Sequence, residues 1–284
     1  MLAESALFAV VVGACAGRME APVAIPLRSY AGTDLRTASV QVGAESRPFI
    51  FDTGAGFTVI TPDELDEAGC TPFGRVVGFR ADGQPVALKR CGPVRLSIGG
   101  FAATGEVASF NLDSLLGKGA PPVGGLLGLE SFRGQAITLD LGHDCLMVET
   151  PASLRARIRS MHRVGVRLSS GPGGDVVPFI QVRARTGTLW MEVDSGNNGP
   201  VFLAPNAVAQ LQLDPGSAAH FPTTLDVVGL GRVPVVAARR NLIYDGQLDP
   251  AFLRRIVLTI DFARETAWAE FAGKSASACG AADR

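Results

Sequence analysis

Two short segments each place an acid inside an apolar stretch, where a carboxylate could do chemistry. Asp52-Thr53-Gly54 lies in FIFDTGAGFTVITP (49–62), and Asp194-Ser195-Gly196 lies in MEVDSGNNGPVFLAP (191–205). A carboxylate among apolar side chains is costly to desolvate unless it is hydrogen-bonded or shares a proton. The competing interpretation is a pair of surface turns, because Asp, Thr, Ser and Gly are common turn residues. The composition predicts only about 0.2 such tripeptides by chance, so two in matching contexts favour a pair of active carboxylates.

The second half of the chain also repeats the end of the first half. GGLLGLESFRGQAITLDLGHDCLMVE (124–149) is followed 121 residues later by DGQLDPAFLRRIVLTIDFARETAWAE (245–270). Most apolar residues of the first segment align with apolar residues of the second. The identical pairs are Gly125 and Gly246, Leu127 and Leu248, Arg133 and Arg254, Thr138 and Thr259, Asp140 and Asp261, and Glu149 and Glu270. An internal repeat of this kind predicts two structurally similar halves.

With these motifs the sequence resembles the pepsin-like aspartic proteases, and most closely the compact bacterial forms built from two retropepsin-type repeats. The resemblance rests on FDTGA, VDSGN, the apolar-apolar-Gly triplet Leu126-Leu127-Gly128 and the FLRR…TIDF ending, and it covers about 24–271. It implies an all-β, two-lobed fold with a peptide-binding cleft between the lobes. It also implies that Asp52 and Asp194 are the catalytic pair. The residues implied to support the two active-site loops are Thr53, Gly54, Ser195, Gly196, Leu127 and Gly128.

Physical chemistry explains why such a site needs two acids. Two carboxyl groups within hydrogen-bonding distance cannot both ionise easily, so they share one proton. The charged member takes a proton from a water molecule, which attacks the peptide carbonyl, while the protonated member hydrogen-bonds to the carbonyl oxygen. This chemistry requires no metal and no cofactor. We therefore expect an aspartic endopeptidase that acts on a polypeptide; the alternatives are a catalytically silent peptide- or protein-binding module of the same fold and an envelope structural protein.

Three features depart from the pattern of the family. In the second half Asp249 stands where the first half has Gly128, and Asn197 follows the second motif where Ser, Thr or Ala is usual. The tyrosine that the family carries on its flap has no counterpart, since the tyrosines are Tyr30 and Tyr244. These departures concern the grip on the substrate and the pKa values of the pair.

The spacing of the motifs predicts one substrate flap. The segment from the first Asp to the following glycine is 21 residues longer in the first half than in the second. That excess contains VVGFRADGQPVALKRC (76–91), where an Asp-Gly turn lies between strand-forming residues, a strong hairpin signal. We expect a flap from Gly78 to Leu88 that covers the cleft, with Phe79 in place of the family's tyrosine. The expected flap residues are Gly78, Phe79, Asp82 and Gly83.

The five cysteines contain no C-x-x-C pair and no histidine at ligand spacing, which argues against a metal site. Cys70 and Cys91 bracket the hairpin that begins near Val76, so we expect them to pair. Cys145 would then pair with Cys279 and leave Cys15 over. Two disulfides suit an oxidising compartment, and the alternative is that these cysteines are free buried thiols.

The N-terminal segment resembles an export signal. Residues 6–14 form a small and apolar run of the length of a signal h-region. VGAC fits a lipoprotein signal acylated at Cys15, and Ala14-Cys15-Ala16 fits an ordinary cleavage site. The preceding MLAES contains Glu4 and no Lys or Arg, so the run could instead be a buried strand, or the true start could lie upstream. We expect an exported protein: periplasmic, attached to a membrane through Cys15, or secreted.

Composition and local patterns complete the expected organisation. A net charge of −1 and 19% charged residues argue against a nucleic-acid partner, and we expect a monomer. Helical spacing occurs at 61–69 and 153–164, and SSGPGG (169–174) reads as a linker. The expected units are an export segment (1–18), an N-terminal lobe with the first Asp motif and the flap (19–150), an inter-lobe helix and linker (151–174), a C-terminal lobe (175–272) and a tail (273–284).

Overall fold

The computed structural model of the chain describes residues 19, 21–169, 174–273 and 279. In this part of the chain most of the ordered structure is β-strand, arranged in two lobes. The all-β, two-lobed fold predicted from the sequence is therefore confirmed. In chain order the strands are β1 (Val23–Pro26), β2 (Arg28–Ser29), β3 (Arg36–Val42), β4 (Glu45–Phe51), β5 (Val59–Ile60), β6 (Phe73–Phe79), β7 (Pro85–Ile98), β8 (Phe101–Ser109), β9 (Gly125–Leu127), β10 (Ala136–Asp140), β11 (Cys145–Glu149), β12 (His162–Val164), β13 (Val166–Ser169), β14 (Val177–Arg183), β15 (Thr188–Val193), β16 (Val201–Leu203), β17 (Phe221–Val227), β18 (Gly231–Arg239), β19 (Gly246–Leu248), β20 (Ile256–Asp261) and β21 (Thr266–Phe271).

The helices are short. The α-helices are α1 (Asp113–Leu116), α2 (Pro151–Arg157), α3 (Pro205–Gln210) and α4 (Pro250–Leu253), and the 3₁₀ turns are Pro62–Glu64, Leu129–Phe132 and Leu141–His143. The helix predicted over 61–69 is therefore reduced to one 3₁₀ turn. The helix predicted over 153–164 ends at Arg157, because the following segment pairs with β21 instead of continuing the helical turn. Strand pairing has overridden the local helical spacing there.

Three sheets organise the molecule. The sheet of the first lobe has the order β2-β3-β4-β9-β5-β8-β7-β6, and that of the second lobe has the order β13-β14-β15-β19-β16-β18-β17. The third sheet, β1-β11-β10-β20-β21-β12, takes strands from both halves of the chain. This shared sheet joins the lobes, so the two halves are not independent units tied by a linker alone.

The sequence repeat is visible in the pairing of strands. In the first lobe β4 runs parallel to β9, and in the second lobe β15 runs parallel to β19. In the shared sheet β10 and β20 are antiparallel and bring Thr138 opposite Thr259, whose hydroxyl oxygens are 2.8 Å apart. These two threonines occupy equivalent positions of the repeat, so this contact lies close to the pseudo-twofold relation between the halves.

Alternating strands bury their apolar faces inside each lobe. Phe49, Phe51 and Leu127 are completely buried beneath the first Asp motif, and Val193 and Leu248 are equally buried beneath the second. Burial of such side chains contributes roughly 1.5–3 kcal/mol each. The loops that carry the acids therefore rest on rigid, apolar strands.

Both predicted disulfides form. Cys70 pairs with Cys91 and Cys145 pairs with Cys279, with a Cα–Cα distance of 5.9 Å in each case. The first ties the segment after the Pro62–Glu64 turn to β7, and the second ties the end of the chain to β11. The alternative of free thiols at these four positions is thus wrong.

The segment predicted as an inter-lobe helix and linker contains more structure than expected. It holds α2, β12, which pairs with β21, and β13, which pairs with β14 of the second lobe. The linker residues 170–173 lie outside the described residues, as do the predicted export segment with Cys15 and residues 274–278 and 280–284 of the tail. Among the helices of the described segments, none has the length and apolar character that a bilayer crossing would need.

Candidate active site

The two acidic loops occupy equivalent places in the two lobes. Asp52 follows β4, and its backbone N–H donates to the Leu127 carbonyl oxygen over 3.0 Å. Asp194 follows β15, and its N–H donates to the Leu248 carbonyl oxygen over 3.2 Å. In each lobe, therefore, a parallel neighbouring strand fixes the point at which the chain leaves the sheet.

The glycine of each motif allows the two loops to approach closely. Gly54 donates its N–H to Asp52 Oδ1 over 2.9 Å, and Gly196 does the same to Asp194 Oδ1 over 2.8 Å. A Cβ atom on Gly54 would lie 2.8 Å from Asp194 Cγ, and one on Gly196 would lie 2.5 Å from Asp52 Oδ2. Any side chain at either position would push the opposite carboxyl group away.

The hydroxyl groups of the motifs cross from one loop to the other. Thr53 Oγ1 donates to the Val193 carbonyl oxygen (2.6 Å) and accepts the Ser195 N–H (2.9 Å). Reciprocally, Ser195 Oγ donates to the Phe51 carbonyl oxygen (2.8 Å) and accepts the Thr53 N–H (3.0 Å). These four bonds, here called the inter-loop grip, are buried and hold the two loops in register. The arrangement is the one that the resemblance implied for Thr53 and Ser195.

The remaining predicted support residues lie directly behind the first loop. Leu127 is fully buried and carries the carbonyl that holds Asp52. Gly128 donates its N–H to Thr58 Oγ1 over 3.0 Å, and a Cβ there would collide with the side chain of Glu130 and the backbone of Phe57. A glycine is therefore required at this position of the first lobe.

Two of the departures have a local structural explanation. Asp249, at the position equivalent to Gly128, caps α4 by accepting the Phe252 N–H at Oδ1 over 2.8 Å. Asn197 closes the loop after the second motif, accepting the Gly199 N–H and donating to the Pro200 carbonyl oxygen. Neither side chain replaces a part of the inter-loop grip.

The two carboxyl groups lie at the floor of a cleft of about 1000 Å³ that is lined by both lobes. Asp52 and Asp194 hydrogen-bond to each other there. Burial raises the pKa of Asp52, and the Gly54 N–H opposes that rise. Burial raises the pKa of Asp194 well above its usual value, and the negative charges of Asp52 and Glu192 raise it further. The site therefore favours one shared proton over two free charges.

The hairpin predicted as the flap extends over this cleft. It consists of β6 and the first part of β7, with Arg80 N–H donating to the Gln84 carbonyl oxygen across the turn. Asp82 Oδ1 accepts the Gln84 N–H over 3.1 Å, and Gly83 adopts a φ of +86°, which favours glycine. Gly78 and Phe79 line the cleft, and the side chain of Phe79 is 65% exposed.

The tip of this hairpin touches the opposite lobe. The Ala81 carbonyl oxygen accepts the Ile243 N–H over 3.0 Å, and a Cβ on Gly83 would lie 2.9 Å from Ile243 Cγ2. The hairpin therefore bridges the cleft from the first lobe to the segment that precedes β19.

Sequence reasoning missed a polar cluster beside Asp194. Gln247 Nε2 donates to Asp194 Oδ2 over 2.5 Å and to Glu192 Oε2 over 3.0 Å, and the Tyr244 hydroxyl also donates to Glu192 Oε2. The side chains of Glu192, Tyr244 and Gln247 all line the cleft. The available signal was Glu192 itself, which interrupts an apolar strand two residues before the acid, where the first motif has Ile50.

No group of three or more His, Cys, Asp and Glu side chains suited to a metal ion occurs in the described part of the chain. The carboxyl groups of Asp52, Asp194 and Glu192 all line the cleft, each with its own hydrogen-bond donors. This set can move protons and polarise a carbonyl group.

Comparison with known proteins supports the fold. No known family model and no curated protein sequence matches the chain. Solved structures do match it. One is conglutin gamma, a basic 7S globulin from lupine seeds, which is 10% identical; the match covers 89% of this chain and 95% of conglutin gamma, with a TM-score of 0.59. The basic 7S globulin from soybean has 10% identity over 88% and 94% (TM-score 0.54), and a protein named edgp has 12% over 92% and 96% (TM-score 0.55). At these identities the likeness establishes a two-lobed, pepsin-like fold and nothing finer.

Proposed function

We propose that the protein is an aspartic endopeptidase that hydrolyses peptide bonds through a water molecule activated between Asp52 and Asp194. The observation that carries the proposal is the inter-loop grip, which is complete and reciprocal and brings the two carboxyl groups into hydrogen-bonding contact. A chain that needed only the fold would have no physical requirement for two buried acids in contact with each other at the floor of a cleft.

The chemistry needs only the two carboxyl groups and water. The ionised carboxylate accepts a proton from the water, whose oxygen attacks the scissile carbonyl carbon. The protonated carboxyl group donates to the carbonyl oxygen as that oxygen gains charge. The tetrahedral intermediate then expels the amine, which takes a proton from the pair, and the pair returns to its singly protonated state. No metal or cofactor takes part.

The substrate in this proposal is an extended polypeptide lying between the lobes under the hairpin. The cleft is wide enough for several side chains, and the hairpin closes one side of it. A lid of this kind excludes water and positions the peptide without joining the proton transfers. We further propose that the protein is exported and acts as a monomer, since its two disulfides are typical of oxidising compartments.

The decisive experiment is a cleavage assay. Purified protein is incubated with casein and with a peptide library between about pH 3 and pH 8, with and without pepstatin, and beside the Asp52→Asn and Asp194→Asn variants. The proposal requires cleavage that pepstatin and each variant abolish. Cleavage that survives in both variants would come from a contaminant and would count against the proposal.

A second candidate is a peptide- or protein-binding module of the same fold without turnover. The comparisons give it weak support, because two of the three structures named above, at 10% identity, are described as basic 7S globulins. The departures near Asp194 point the same way, since a glutamine and a glutamate replace apolar side chains beside the acid. This candidate predicts saturable binding of library peptides with no cleavage at any pH, and unchanged binding in the Asp194→Asn variant.

A further inference from the structure

The strands that carry the acidic pair bear apolar side chains in the first lobe and polar side chains at the equivalent positions of the second lobe. In the first lobe Ile50 of β4 pairs with Leu126 of β9, and both are buried. In the second lobe the corresponding pair is Glu192 of β15 and Gln247 of β19, also buried. A buried glutamate is costly and requires compensating hydrogen bonds. The presence of a polar pair in the second lobe, where the first lobe has an apolar one, is therefore not explained by packing alone.

We propose that Glu192, Gln247 and Tyr244 form a brace that positions the carboxyl group of Asp194 and retains the shared proton on the acidic pair as the pH rises. The three residues are positioning residues, since they act through Asp194. The kinetic consequences of this inference rest on the proposed proteolytic function, whereas its structural consequences rest on the contacts alone.

The brace adds a side-chain donor to Asp194, so that each of its carboxyl oxygens has a donor. The Gly196 N–H is bonded to Oδ1 and the Gln247 carboxamide to Oδ2, both from the second lobe. The same carboxamide nitrogen is bonded to Glu192, which the Tyr244 hydroxyl holds in turn. The equivalent first-lobe side chains are apolar and offer Asp52 no such donor. The brace therefore makes two otherwise symmetric acids inequivalent.

The charges around Glu192 set the direction of the proton effect. Asp52 and Asp194 face it from the two acidic loops, and Tyr244 and Arg240 lie in the segment between β18 and β19 that lines the same part of the cleft. Burial raises the pKa of Glu192 to about 7, and the charge of Asp52 adds to the rise. Once ionised, Glu192 raises the pKa of Asp194. An ionised Glu192 thus makes loss of the shared proton from the pair harder.

The Glu192→Gln variant tests this effect, because it keeps the size of the side chain and one acceptor oxygen for Tyr244 and Gln247 but removes the charge. We expect the alkaline limb of the kcat/KM profile to move to lower pH by about one unit or more. The rate at the acidic side should change by less than about twofold, since Glu192 is neutral there in the native protein. The control is Glu64→Gln, which removes another buried carboxyl group that does not line the cleft and should leave the profile unchanged.

A measurement without turnover separates this inference from the proposed function. Carboxyl-carbon NMR of protein labelled at Asp and Glu follows the titration of Asp194 directly. In Glu192→Gln its upper midpoint should fall, whether or not the protein cleaves peptides. An unchanged Asp194 midpoint together with an unchanged alkaline limb would overturn the inference, even if the native protein proves to be a protease.

Two further variants keep the inference testable if Glu192→Gln does not fold. Tyr244→Phe removes a donor that lowers the pKa of Glu192, so the Glu192 midpoint should rise. Gln247→Leu introduces the residue found at the equivalent position of the first lobe, Leu126. It should reduce kcat about tenfold with little change in KM, because Asp194 loses its side-chain donor. A Glu192 midpoint that does not move in Tyr244→Phe would contradict the brace.

Discussion

At the scale of single residues, the two acids have matching backbone donors but different surroundings. Each accepts the N–H of the glycine two residues later, and only Asp194 also accepts a side-chain donor from its own lobe in the described contacts. A shared proton makes them one functional unit despite this difference. The consequences of losing either acid should therefore be similar.

We expect Asp52→Asn and Asp194→Asn each to lower kcat/KM by at least about 1000-fold, because Asn matches Asp in size but cannot carry the proton. The double variant should be no worse than either single variant. Peptide hydrolysis and thermal unfolding, measured on the same preparations, separate catalysis from folding. Near-normal turnover in one single variant would contradict the shared-proton mechanism.

The inter-loop grip should matter for both stability and activity. Thr53→Val keeps the shape of the side chain but leaves the Val193 carbonyl oxygen and the Ser195 N–H without their buried partner. The expected loss is about 2–4 kcal/mol of unfolding free energy, with a fall in kcat. Thr266→Val is the matched control, since its exposed hydroxyl bonds only to a nearby carbonyl. Equal stabilities of the two variants in urea titrations would argue against the grip.

The raised pKa of Glu192 also predicts a pH dependence of stability. The group ionises near pH 4.5 in the unfolded chain and at about 7 in the folded protein. The folded state therefore binds more protons between these values, and its stability falls as the pH rises from 4.5 to 7. Glu192 contributes on the order of 3 kcal/mol to this fall in stability, and the Glu192→Gln variant should lack that contribution. Chemical denaturation of both proteins across this range measures the difference, and parallel curves would contradict it.

At the scale of elements, hairpins could be predicted from the sequence better than helices. The hairpins β3–β4, β6–β7 and β14–β15 were predictable because alternating apolar residues flank tight turns. The segment around His162 was predicted as helix because its spacing is helical, but its pairing with β21 depends on residues about 100 positions away. No local pattern contains that information.

The difference between local patterns and contacts between distant residues also explains which residues of the candidate site were missed. Asp52 and Asp194 could be found because each belongs to a motif that occurs twice. Glu192, Gln247 and Tyr244 have no polar counterparts in the first half of the chain. Their contact with Asp194 depends on the register between β15 and β19. A glutamate in an apolar strand could have been noticed, but its partners could not have been named.

The hairpin over the cleft can be tested as an element. Shortening it across 80–85 removes the contact between Ala81 and Ile243 and uncovers the acidic pair. We expect kcat/KM to fall at least about tenfold, because the peptide loses its lid, while the thermal midpoint changes little. The matched control shortens the β14–β15 turn at 184–187, which lies outside the cleft lining. Unchanged cleavage, or unfolding of the whole protein, would mean that the hairpin is an ordinary structural element.

At the scale of the whole molecule, contacts between the halves occur at several levels. The inter-loop grip joins them at the cleft floor, the contact between Ala81 and Ile243 joins them across its top, and the shared six-stranded sheet joins them below. The repeat is most closely matched in that sheet, where Thr138 contacts Thr259. The geometry of the acidic pair therefore depends on how the lobes are held, and not only on each loop.

The two disulfides should contribute to this assembly in different ways. Cys70–Cys91 spans 21 residues at the base of the hairpin, whereas Cys145–Cys279 spans 134 residues and anchors the end of the chain to the shared sheet. Loop-closure entropy predicts losses of about 3 and about 5 kcal/mol when each pair is replaced by serine.

Replacing the first pair should also lower kcat/KM, because the base of the hairpin loses its tie to the first lobe. Replacing the second should leave kcat/KM unchanged below the unfolding transition. Urea titrations and cleavage assays on the two double variants measure both effects, and non-reducing peptide mapping of the native protein checks the pairing. Equal effects on kcat/KM would contradict a specific link between the first disulfide and the hairpin.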